Sequence, residues 1–177
     1  MAANFTTTGS DTFPAGHVIG HVTVGEESRT GGHIATTSTS FEDTGLEVAI
    51  TTAATSTNSY LVFEYWGGMF NCSASGSGFM AAATMRTVSN STYTAGELVY
   101  TATYPTYISQ LAYLYIPISI KMYCGLVSGM GMPATKSSWS AGDTLYFRLF
   151  MMQQSGDATA FVHNTSSYNL SATEISR

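Results

Sequence analysis

The chain has 177 residues and a net charge of −5, and only 10% of it is charged, against 26 Thr and 22 Ser. That length suits one domain able to bury roughly 70% of its unfolded surface, and 44% apolar with 12% aromatic residues is too rich for a disordered tail. Its lysines are Lys121 and Lys136 alone, which excludes a basic stripe for nucleic acid, and the absence of any run of about 18 apolar residues excludes helical membrane insertion.

The first ten residues, MAANFTTTGS, lack a basic region and an apolar core, so no signal peptide is expected there. Residues 1–16 are expected to form an N-terminal arm and 17–177 the folded domain. His17–Val24 reads as a first strand after Pro14 and Gly16. His33–Phe41 follows the Gly31-Gly32 turn. In Leu46–Thr52 the residues Leu46, Val48 and Ile50 alternate with Glu47, Ala49 and Thr51, which is strand periodicity. The same spacing fits a short helix, but β-branched residues and the following Thr run favour the strand.

Asn58–Trp66 is bulky on both faces, as a covered central strand would be, and Gly67-Gly68 is expected to end it. Phe79–Thr87 carries an Ala triplet that fits a helical turn or a small-residue strand. Glu97–Tyr104 continues the pattern. Leu111–Tyr123 sets Leu114, Ile116, Ile118 and Ile120 on one face and Tyr113, Tyr115 and Tyr123 on the other. Pro117 lacks an N–H and marks an edge or a bulge. Met130–Ala141 reads as a loop and Leu145–Met152 is apolar on both faces apart from Arg148. Ala158–His163 and Tyr168–Ile175 close the chain. Short strands at this spacing, with Gly- and Ser-rich turns between them, predict an all-β, single-domain jelly-roll β-sandwich of about 8–10 antiparallel strands.

No constellation carries chemistry. His17 and His21 would stand on one strand face roughly 13 Å apart, too far to share one ion. Asp143, His163 and some serine can be written as a triad, but 22 serines make that a chance match and no G-x-S-x-G elbow exists. Ser75–Gly78 lacks the Lys-Ser/Thr of a phosphate cradle. No enzyme activity, cofactor or metal is therefore expected. Five asparagines (Asn4, Asn71, Asn90, Asn164 and Asn169) begin N-x-S/T triplets, which arise easily in so hydroxyl-rich a chain. Cys72 and Cys124 are expected as buried thiols, with a single disulfide left open as the alternative.

Aromatic residues fill a core and, beyond it, an interface. One sandwich core covers one face of each sheet, so the Tyr113 and Tyr115 side, or the side of Phe147, needs a second covering. Self-association supplies it. Tyr113, Tyr115, Phe147 and Phe161 are the expected subunit-interface residues. Phe5 and Phe13, in an otherwise polar arm that orders on docking, are the expected attachment residues. Trp66 and Trp139 are candidates for glycan contact.

Two segments carry a family resemblance: HVIGHVTV with TTSTSFEDTGLEVAITTAATSTNSYLVFEYWGG, over 17–68, and SAGDTLYFRLFMMQQSGDATAFVHNTSSYNLSATEIS near the end. With Gly45 before an apolar alternation and Gly142-Asp143 opening a strand, the chain resembles the trimeric jelly-roll domains, loosely like tumour-necrosis-factor and C1q heads, of bacteriophage virion proteins such as tail fibres and capsid decorations. The resemblance implies a homotrimer made in the host bacterial cytoplasm and located in the virion, with itself and other capsid or tail proteins as partners. A host-surface glycan is the alternative partner. The short segment before the domain favours a decoration, cement or knob protein over a fibre tip.

Overall fold

The computed structural model describes residues 14–26, 34–72, 78–94, 98–104, 116–125, 138–155, 160–162 and 168–177. Its strands are β1 (Val18–Glu26), β2 (Ile34–Thr36), β3 (Glu42–Thr51), β4 (Ser59–Cys72), β5 (Gly78–Arg86), β6 (Leu98–Tyr104), β7 (Ile116–Cys124), β8 (Thr144–Ser155), β9 (Ala160–Val162) and β10 (Tyr168–Ser176). They form two sheets, and every strand pair is antiparallel. Sheet A runs β1-β10-β4-β9-β2, with β7 on β4, and sheet B runs β3-β8-β5-β6. Along the chain β2 to β3, β3 to β4, β4 to β5, β6 to β7, β7 to β8 and β8 to β9 each change sheet, while the first and last long strands lie side by side. That winding is the jelly roll, as the strand spacing predicts.

The core lies between the sheets. Leu46, Val48 and Ile50 of β3 enter it, as their alternation requires, with Leu61, Phe63 and Tyr65 of β4, Leu145, Phe147, Leu149 and Met151 of β8, and Leu170 and Ala172 of β10. Phe63 and Phe147 stack across it with ring centroids 5.2 Å apart. Ala81, Ala83 and Met85 face the same core from β5, so the Ala triplet is a strand and not a helical turn. Small side chains there let a neighbouring layer of large ones fill the space.

Of the element boundaries that differ from the sequence expectation, three have a visible local cause. Gly67-Gly68 does not end β4: the strand continues to Cys72, and its pairing with β7 slips between Gly67 and Met69, directly opposite Pro117. The two glycines mark a bulge beside the residue that cannot donate to the ladder. β2 is only three residues long, because hydroxyls capture the backbone that would extend it: Ser38 N–H donates to Thr36 Oγ1 (2.9 Å) and Ser40 N–H to Ser38 Oγ (3.0 Å). β3 begins four residues early, at Glu42, through an irregularity at Gly45, whose φ of +71° favours glycine and whose N–H donates to Asp43 Oδ1.

Candidate functional site: the outer faces of the two sheets

Alternation along each strand leaves every sheet with a second face, and the two second faces differ. On sheet B the outward positions are Ala82, Thr84 and Arg86 of β5 and Tyr146, Arg148, Phe150 and Met152 of β8. Phe150 is nevertheless 0% exposed, and Ala82, Thr84 and Arg86 are buried. Over Phe150 and Arg86 lies the segment that follows β5, Thr87–Thr94. Tyr93 of that segment meets Phe150 edge-on at 5.4 Å and Phe41 at a tilt, with ring centroids 4.6 Å apart. Arg86 lies over the Phe150 ring and donates from Nη1 to Asn90 O and from Nη2 to Thr92 O (2.6 Å). β8 is thus greasy on both sides, but its second side is sheltered by the same chain.

Beside this cap lies an ion cluster. Arg148 forms a fork to Asp43 (Nε–Oδ1 2.7 Å, Nη2–Oδ2 2.6 Å) and reaches Glu47 (Nη1–Oε2 3.0 Å), which also accepts the Ser89 hydroxyl at 2.8 Å. Desolvation works to raise the Asp43 pKa, but the Arg148 hydrogen bond and charge prevail and hold the carboxyl below its ordinary range. Hydrogen bonding to Asp43 likewise raises Arg148. The cluster ties β3 to β8 and stays charge-paired.

On sheet A, no such cap lies over the outer face among the described residues. Register aligns Val18, Ile175 and Tyr60 across β1, β10 and β4, and Tyr123 of β7 stands beside Tyr60 with ring centroids 6.5 Å apart. Val18 is 60% exposed and Tyr123 37%. Val62, between them, is 5% exposed although it points outward. Trp66, further along β4, is 55% exposed and sits directly opposite Asn169. The middle of the face is polar but almost uncharged: His21 bonds Thr173 Oγ1 (2.9 Å), Thr23 donates to Asn169 Oδ1 (3.1 Å), and Lys121 and Glu64 neutralise one another at 2.7 Å. Hydrogen bonding to Glu64 raises the Lys121 pKa, so the ammonium stays charged.

The residues singled out from sequence separate accordingly. Phe147 is 0% exposed within a single protomer, on the core side of β8, so it is not an interface residue: the register puts odd-numbered residues of β8 inward and Phe150 outward. Trp139 is no platform for a sugar. It is buried at one end of the sandwich, donates Nε1–H to Ala54 O (3.1 Å), and packs against Gly125, where an added Cβ would lie 2.5 Å from the indole. Trp66 is exposed. Phe161 lies in β9 opposite Ala35 and Asn71. Phe5, Phe13, Tyr113 and Tyr115 lie outside the described residues, as do His33 and His163. Cys124 is a buried thiol whose pKa burial pushes up to about 12, which makes it inert packing. Among the described residues, no three His, Cys, Asp or Glu come together in a way that could hold a metal ion. Tyr60 and Tyr123 escaped the sequence reading as a pair. Their link is the β4–β7 register, which no local pattern records.

No family model matches the chain, and no curated protein matches its sequence. Among solved structures it is similar to the Eiger TNF of S. frugiperda, at 13% identity and a TM-score of 0.41, over 87% of this chain and 92% of that one. It is similar also to the VP2 subviral particle of infectious bursal disease virus, at 8% identity and a TM-score of 0.36, over 88% of this chain and 41% of that one. The Gx strain of the same virus aligns at 8% identity and a TM-score of 0.33, over 88% and 38%. The chain therefore spans less than half the length of the viral proteins. The strand order and pairing by themselves establish the fold as a jelly-roll sandwich.

Proposed function

We propose that this protein is a non-catalytic structural component of a phage virion that self-associates as a homotrimer through the outer face of sheet A and decorates or cements the capsid or joins a tail appendage. One observation carries the reading: sheet B is capped by its own chain, whereas sheet A presents Val18, Tyr60, Tyr123 and Trp66 with nothing described above them. Covering the exposed half of a tryptophan removes roughly 100 Å² from water, or about 2.5 kcal/mol at ~25 cal/mol per Å². The polar residues between the aromatics are already hydrogen-bonded or ion-paired to one another, so burying this face strands few polar groups. Scarce charge and abundant hydroxyls elsewhere suit a molecule packed among copies in a particle.

Sedimentation at micromolar concentration tests the reading. The expected species has three times the 18.8 kDa protomer mass, and Tyr123→Glu shifts it toward monomer, because a carboxylate buried beside Tyr60 costs several kcal/mol. Immunogold labelling of purified phage should mark capsids or tails. A wild-type monomer under these conditions, or unlabelled particles, sinks the proposal.

Trp66 supports a second reading, binding of a host-surface glycan. An exposed indole beside the Asn169 amide can stack on a sugar ring and meet its hydroxyls. On this reading Trp66→Ala abolishes glycan-array signals while leaving the oligomer mass unchanged. An array blank for the wild-type protein removes it.

A further inference from the structure

The segment Thr87–Thr94 differs on its two sides. Thr87–Thr92 and Thr94 are exposed and polar apart from Val88, whereas Tyr93 turns inward onto Phe150. Four kinds of contact hold it down: the Arg86 guanidinium on two of its carbonyls, the Phe41–Tyr93–Phe150 aromatic contacts, the Ser89–Glu47 bond, and an internal turn in which Thr92 N–H donates to Asn90 Oδ1 (2.8 Å). On the same face of β5 as Arg86, the buried Thr84 hydroxyl has no hydrogen-bond partner among the described residues. Without the segment, sheet B would present Ala82 and Phe150 side by side, because the two are paired in register.

We propose that Thr87–Thr94 is a built-in strap that denies the outer face of sheet B to a second copy of this chain, so that association proceeds through sheet A alone and the assembly closes. The closing role rests on the sheet A interface proposed above. The masking role does not. A subunit sticky on two opposite sheets offers non-equivalent contacts that need not close, and open-ended growth follows. A subunit sticky on one face stops at a ring of few copies. The strap sets that difference with eight residues.

Tyr93→Ala removes the inward anchor without touching the intersheet core. The expected result is unchanged far-UV circular dichroism, a several-fold rise in binding of an apolar fluorescent dye, and particles whose mass grows with concentration beyond that of the wild type. Tyr93→Phe, which keeps the ring, should behave as wild type. Should Tyr93→Ala unfold, the Asn90→Gly/Thr92→Gly variant loosens the strap from outside the sheet and is read in the same way. A folded strap variant with wild-type mass and dye binding overturns the proposal. If the wild-type protein proves monomeric, the sheet A interface fails, yet the strap is still judged: its loss must turn that monomer into an associating species.

Discussion

Glu174 shows how a single side chain organises one end of the sandwich. It lies on the core side of β10 with no exposed surface, where a lone carboxylate would be costly. Three donors meet it: Ala53 N–H (2.5 Å), Ala54 N–H (3.0 Å) and the Ser59 hydroxyl (2.7 Å). Those bonds pin the turn between β3 and β4, whose Ala54 carbonyl in turn receives the Trp139 indole. Glu174→Ala would leave both amides without their acceptor and leave the Ser59 hydroxyl only Thr55 O (3.2 Å), at a cost of about 3 kcal/mol from charge-assisted bonds and their desolvation. Ser59→Ala removes one donor and should cost about 1 kcal/mol. Urea unfolding midpoints at constant m-value measure both, and near-equal losses would contradict the three-donor account. Nothing in the local sequence distinguishes Glu174 from a solvent-facing glutamate, because its donors lie more than a hundred positions away in the chain.

At the scale of the element, β3 and β8 are joined by the Arg148 fork as well as by their ladder. The Asp43 carboxyl is held below its ordinary pKa. A depressed carboxylate contributes stability that is present above its unfolded pKa and lost as pH falls through the folded value. Wild-type stability should therefore decline on acidification from about pH 4 downward, the ordinary carboxylate range. Asp43→Asn should be less stable by roughly 1 kcal/mol at neutral pH, with a gap that closes in acid. Thermal melts of both proteins across pH 2–7 check this, and a gap independent of pH would place the effect elsewhere. The strands themselves were largely legible: β3 follows the two-residue period of a half-buried strand, and β8 stands out as a run apolar on both faces. Their ends were not, since Gly67-Gly68 reads as a stop until Pro117 is found opposite, and Ser38 and Ser40 read as strand until their amides are seen donating to the Thr36 and Ser38 hydroxyls.

At the scale of the whole molecule, the two sheets hide one core and divide their outer faces between them. Sheet B has Phe150 covered by Thr87–Thr94, whereas sheet A exposes Val18, Trp66 and Tyr123. The double greasiness of β8 did not require a neighbouring copy, as its periodicity had implied, because a periodic pattern reports how many faces are covered and never by what. Strand number, sandwich class and the absence of a catalytic motif are local matters of spacing and composition, and the amino-acid order alone determined them. Only the tertiary structure decided which residues face outward together. Tyr60 meets Tyr123, Tyr93 meets Phe150 and Phe147 turns inward through pairings between distant segments, whose register depends on bulges and turns rather than on any one strand's pattern.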